Sequence, residues 1–111
     1  MKGEIMISIA DFSTYPSGRD AQDGTYNGER YRNEILVPLL QEAQEQGKVL
    51  CVSLKGVLSF GSSFLEEAFG GLIRTGKFEK DQLKKLLKID PGKPSFTRHE
   101  KAIWNYIKEA K

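Results

Sequence analysis

The chain has 111 residues and a mass of 12.5 kDa, room for one folded domain and a single hydrophobic core. Hydrophobic residues make up 39% and charged residues 29%, which excludes a disordered chain too poor in apolar groups to offset its ordering entropy. A lone cysteine, Cys51, excludes an intramolecular disulfide framework and a cysteine-based zinc site. The opening Met-Lys-Gly-Glu-Ile-Met-Ile-Ser has an apolar run too short and too early for a signal peptide. No apolar stretch approaches the ~20 residues that span a bilayer. The expected compartment is the cytosol, with no membrane contact.

The net charge of +2 is unevenly divided. Residues 1–50 carry five Lys and Arg against eight Asp and Glu, and residues 51–111 carry twelve against seven. A basic half of this kind could suit an acidic partner or a nucleic acid. Most of its lysines, however, fall on the polar faces of predicted helices, where solvation accounts for them. Nucleic acid is therefore not the expected partner.

Glu4 to Ala10 alternates, with Ile5, Ile7 and Ile9 on one side and Glu4, Met6 and Ser8 on the other. That period predicts a strand with one apolar face. Asp11 to Asn27 then loses regularity through Pro16, Gly18, Asp23-Gly24 and Asn27-Gly28, and the Asp-Gly pair is a signal for a short hairpin. A connection of this length is often functional. Glu29 to Gln46 reads as a helix capped by Asn27 and ended by Gly47. Pro38 inside it removes a backbone donor and predicts a kink or break near Glu34 to Val37. Val49 to Leu54 is a nearly continuous apolar run, which suits a central strand covered on both faces, with Cys51 as a small core residue.

Ser63 to Thr75 repeats Phe64, Leu65, Ala68, Phe69, Leu72 and Ile73 at helical spacing, with Gly76 as a stop. Ser63 and Glu66 have the spacing of a capping box. Gly70 and Gly71 each cost a helix about 1 kcal/mol against Ala, so their presence predicts a close approach by another segment. Lys80 to Lys88 is helical in pattern, although Leu86 to Ile89 could leave it as a short edge strand before Pro91. Thr97 with Glu100 spells a second capping box, opening a helix to Ala110 with Ala102, Ile103, Tyr106 and Ile107 on its core face.

Two motif matches fail on chemistry. Gly71 to Lys77 follows the phosphate-loop spacing, but Phe78 stands where a magnesium-binding hydroxyl is needed, and the match lies at a helix end. Asp20 and Asp23-Gly24 lack the alternate ligands and closing Glu of a calcium loop. His99, the only histidine, reads as a solvated residue in a first helical turn. No metal, no cofactor and no catalytic residue is expected.

Three features remain. In the turn Gly61-Ser62-Ser63, a plain reading makes Ser63 a cap and Ser62 a turn residue. A functional reading makes Ser62 a hydroxyl near unpaired helix-start donors, where a phosphate would meet favourable dipoles but also Glu66 and Glu67. The other two are Tyr15-Pro-Ser-Gly-Arg19 and Tyr26-Asn-Gly-Glu-Arg-Tyr-Arg32. Tyrosine and arginine beside glycine suit recognition of an anion or a protein surface. The candidate binding surface is Arg19, Asn27, Gly28, Arg30, Arg32 and Arg74. The plain alternative packs Tyr31 in the core and leaves Arg30 and Arg32 solvated.

The run Val52-Ser-Leu-Lys-Gly-Val-Leu-Ser-Phe-Gly-Ser-Ser-Phe-Leu-Glu-Glu-Ala-Phe-Gly-Gly-Leu resembles the STAS-like domain family of unknown function. Upstream, Gly18-Arg19 and Asn27-Gly28-Glu29-Arg30-Tyr31-Arg32 look like that family's Arg and Ser-Gly-Glu-x-Phe-Arg elements, with Asn27 in the Ser position. The resemblance runs over about residues 4 to 110. It implies a single α/β domain over 1–111, a small mixed sheet with helices packed against it. The family is in turn similar to anti-sigma-factor antagonists, non-enzymatic switch modules phosphorylated on a turn serine by a histidine-kinase-like ATPase. That likeness places Ser62 at the phospho-acceptor position and implies an ATPase partner. Gly61 stands where those proteins have Asp and Phe64 where they have Gly, so no phosphate is expected on Ser62. The function expected is a non-catalytic protein-interaction or regulatory module. The alternative is a small enzyme or nucleic-acid-binding protein using Arg19, Arg30, Arg32 and Arg74.

Overall fold

A computed structural model describes residues 3–111. Strand β1 covers Glu4–Ser8, β2 covers Val49–Ser53 and β3 covers Leu87–Asp90. They form one sheet in the order β1-β2-β3. Both pairings are parallel, with Met6 opposite Cys51 and Cys51 opposite Lys88. The α/β class read from the sequence holds. The sheet itself is parallel throughout and not mixed, because each strand is joined to the next by a helical crossover.

Four helices supply those crossovers and the C-terminal layer. Helix α1 spans 28–46, as an α-turn Gly28–Tyr31, a π-bulge Arg32–Leu36 and an α-helix Val37–Gln46. Asn27 caps it by accepting the Arg30 N–H at 2.8 Å, and Gly47 ends it at φ +65°. The break expected from Pro38 is the bulge. Pro38 has no N–H to offer Glu34, and the Val37 N–H reaches back to Arg32, five residues away. Helix α2 spans 62–74, as Ser62–Leu65, a second π-bulge Glu66–Gly70, and Gly71–Arg74. Helix α3 is Lys80–Leu86 and α4 is Thr97–Glu109. The ambiguous Leu86 to Ile89 is resolved as a strand that begins at Leu87.

Both crossovers step in the same direction across the sheet. Right-handed crossovers of that kind put their helices on one face. On that face Leu50, Val52, Leu87 and Ile89 meet Leu40, Phe64, Ala68 and Phe69, all of them buried. The opposite face shows Met6, 61% exposed, and Lys88, which reaches Glu4 at 3.4 Å across the central strand. Strand β2 is central, as its apolar run predicts, but helices cover only one of its faces. Cys51 is buried all the same, and that burial pushes its thiol pKa up. Among the described residues, no helix is long and apolar enough to cross a membrane.

Three local expectations are corrected. No hairpin forms between Asp11 and Asn27. The segment closes on itself instead, and the Gly18 and Arg19 carbonyls accept the Gly28 and Glu29 N–H groups at 2.9 Å. Those bonds satisfy donors that the first turn of α1 would otherwise leave unpaired. Ser63 is not the cap of α2, because Gly61 takes that position without a side-chain bond and Glu66 is drawn to arginines. Thr97 makes no capping box either, since a 3-10 turn Pro94–Phe96 leads directly into α4. The box that does form is at Glu79 and Gln82.

Candidate functional site

The two π-bulges face one another, and a cluster of five charged side chains joins them. Arg32, on the first bulge, pairs through Nη1 with Glu67 Oε2 on the second and donates to the Glu67 carbonyl at 3.0 Å. Arg32 is only 5% exposed, so it is buried and not solvated. Its guanidinium lies against Gly71, where any Cβ would collide with it. The glycine pair read as a sign of close approach thus makes room for a charge. Glu66 sits between Arg19 at 2.5 Å and Arg74 at 2.6 Å, and both arginines also reach Glu67, at 3.4 and 3.3 Å.

Electrostatics follows from this geometry. Burial alone would push the Glu66 carboxyl up, but hydrogen bonds from Arg74 and Arg19 outweigh it and hold the pKa below the usual value. The same bonds raise the Arg19 and Arg74 guanidinium pKa values. Three arginines meet two carboxylates, so the cluster is nearly neutralised from within. Glu66 and Glu67 are missed by sequence reasoning, which takes them as a cap and a source of repulsion.

Of the remaining members of the expected binding surface, Arg30 and Asn27 lie outside this cluster, while Gly28 packs against Glu67 without contributing a charge. Arg30 bonds Glu34 at 3.2 Å and the Thr25 carbonyl at 3.1 Å, with its guanidinium over Phe12 and Tyr26. Asn27 is buried, with its side chain bonded to Gly24 and the Arg30 N–H. Gly28 is buried where helix α1 touches α2, leaving no space for a Cβ beside the Phe64 carbonyl. Both residues hold the fold.

Ser62 and Ser63 open α2, with Ser62 exposed and Ser63 half-buried. They lie where β2 emerges at the C-terminal edge of the sheet, the edge at which parallel sheets hold their ligands. Two loops meet there. The Leu58 N–H donates to the Thr14 carbonyl at 2.9 Å and the Gly61 N–H to the Pro16 carbonyl at 3.1 Å. This pairing fixes Tyr15, 63% exposed, and Leu58, 64% exposed, beside the serine turn. Tyr15 belongs to a motif the sequence singles out. Leu58 carries no such signal, because an apolar residue after a strand reads as core. Behind this surface Phe60, Phe96 and His99 pack together, with ring centroids 4.8 to 5.6 Å apart. His99 is therefore half-buried in an aromatic group and not solvated.

Among the described residues, no three His, Cys, Asp or Glu side chains are grouped to hold a metal ion. A family model described as a STAS-like domain of unknown function (DUF4325) matches residues 27–91, which is 65 of the 111 residues. No curated protein and no solved structure matches the chain. The matched segment contains both bulges, the serine turn, Leu58 and Arg74, and begins after Tyr15 and Arg19.

Proposed function

The chain belongs to the STAS-like domain family of unknown function, and on that premise we propose that it is a non-catalytic module for protein interaction and regulation. The observation that carries this reading is the pair of exposed apolar side chains, Tyr15 and Leu58, fixed by hydrogen-bonded loops next to an exposed serine. Exposed apolar groups on a rigid frame cost a free protein solubility and suit the buried centre of an interface. The likeness to anti-sigma-factor antagonists makes a histidine-kinase-like ATPase the partner proposed for that surface. The reading through a nucleic acid has less support, because Arg19, Arg32 and Arg74 are already matched by Glu66 and Glu67.

The test is affinity capture from the native host with wild type, Leu58→Asp and Ser62→Asp as baits. Leu58 is largely exposed, so Leu58→Asp should fold with an unchanged melting temperature. Wild type should retain an ATPase of this type and Leu58→Asp should lose it. Ser62→Asp should change the amount retained, because a charge placed within an interface alters its electrostatics. Recovery of nucleic acid in place of protein, or equal capture by Leu58→Asp, would overturn the proposal.

A further inference from the structure

Between helices α3 and α4 lies a cleft of about 460 Å³, within the range of about 300–1,000 Å³ usual for binding sites. Its apolar part is Trp104 with Ile107, and its polar part is Asn105 with three lysines, Lys80, Lys84 and Lys108. Trp104 is the chain's only tryptophan. It packs against the core yet is only half-buried, whereas Ile107 is buried.

These lysines are not matched as the arginines of the α2 bulge are. Among the described residues, no carboxylate lines the cleft. Lys80 ties α3 to the end of α4, since its ammonium donates to the Lys108 carbonyl at 2.5 Å, and a carbonyl leaves the positive charge in place. Lys84 faces Asp81, 3.8 Å away and itself 91% exposed, a geometry in which water screens most of the attraction. Lys108 is exposed and makes no ion pair among the described residues. Like charges gathered about one cleft repel each other, and its low-dielectric wall strengthens the field that an anion meets there. An apolar centre inside a charged, solvent-exposed rim is the anatomy of a protein interface. A small-molecule pocket would instead show convergent, buried polar groups.

We propose that this cleft docks a short acidic segment of a partner protein, whose bulky apolar side chain lies against Trp104 while its carboxylates meet Lys80, Lys84 and Lys108. Charge complementarity selects such a segment over a neutral or basic one. Nucleic acid fits less well, because a single strand is held by successive stacked bases and the cleft offers one aromatic ring and no arginine. The cleft shares no residue with the Tyr15–Leu58 surface and does not depend on the partner proposed for it.

The probe is the peptide acetyl-Glu-Asp-Asp-Phe-Leu-Asp-Asp-Glu-amide, titrated into the full chain and followed by tryptophan emission, which reports on Trp104 alone. The emission should move saturably to shorter wavelength as the apolar pair displaces water from the indole, with Kd on the order of 0.1–1 mM. Raising the salt from about 0.05 M to about 0.5 M should weaken binding several-fold. Lys84→Gln combined with Lys108→Gln should bind about 5- to 10-fold more weakly, the loss expected for two rim charges. Both residues are exposed, so this variant should melt as wild type does. A peptide with Gly-Gly in place of Phe-Leu should bind more weakly than the parent, and one with Lys in place of every acid should not bind. If the lysine variant melted lower, these two control peptides would decide the matter on the wild-type protein. No saturable shift, or equal binding by the folded lysine variant or by either control peptide, would overturn the proposal. Tighter binding of oligothymidylate at equal salt would make the cleft a nucleic-acid surface, and a shift on diluting the protein alone would make it a contact between copies. Either result would overturn the proposal as well.

Discussion

The bulge of α2 and its first turn lie within one helix yet are built on opposite terms. At the bulge, Glu66 and Glu67 are each held by arginines from two or three directions, and the deepest of these, Arg32, is almost fully buried. At the first turn and the loops before it, Tyr15 and Leu58 face solvent with nothing packed over them among the described residues. Arginine and tyrosine are alike favoured at interfaces. Here the arginines are used inside the protein, as clasps between helices, while an exposed tyrosine and leucine are left for a partner. Residue type alone does not assign these roles. The neighbour that satisfies each side chain does.

The largest effect that bears on this contrast comes from the core that both regions share. Phe69 lies in the bulge itself and is fully buried. Phe69→Ala should cost about 3–5 kcal/mol in urea denaturation, a large part of the about 5–15 kcal/mol typical of such domains. A midpoint within error of wild type would mean that α2 presents a different face to the sheet.

Two arginine substitutions then separate the inner clasp from the outer one. Removing one partner of a buried ion pair costs up to about 3–5 kcal/mol. Arg74 and Arg19 still reach Glu67 when Arg32 is gone, so Arg32→Ala should cost about 2 kcal/mol. Arg19 is about half exposed, and Arg19→Ala should cost under about 1 kcal/mol. Arg19 also ties the loop carrying Tyr15 to helix α2, so its loss should weaken partner capture more than it weakens the fold. If Arg19→Ala proved as destabilising as Arg32→Ala, the division between an inner and an outer clasp would fail.

Much of this architecture is legible in the sequence for local reasons. The 2-residue period of Ile5, Ile7 and Ile9, the Asn27 cap, the Gly47 stop and the Pro38 break each act within a few residues and are read correctly. The second bulge is marked only by Gly70-Gly71, whose purpose depends on Arg32, far away in the chain. Ser63 and Glu66 spell a capping box, but the carboxylate is taken by Arg19 and Arg74, partners 47 and 8 residues distant. Local propensity lost there to charge-assisted bonds, which are about twice as strong as neutral ones. The parallel sheet is likewise settled by how crossovers pack, which no single strand encodes.

The smallest effect is a pH dependence, and it concerns the aromatic group behind the exposed edge. Burial against Phe60 and Phe96, and next the charge of Arg98, lower the His99 pKa from 6.5. As pH falls below 6.5, the unfolded chain takes up this proton before the folded one does. Stability should therefore decline through that window, and the loss is complete once pH passes below the folded value. The Glu66 pKa lies below 4.5, so its own acid loss sets in at lower pH and can be told apart. Thermal melts at about pH 7.5 and about pH 5.5 should show a larger drop for wild type than for His99→Phe, which keeps the stacking and has no proton to bind. Equal drops in the two proteins would place the titrating group elsewhere and leave His99 as a packing residue alone.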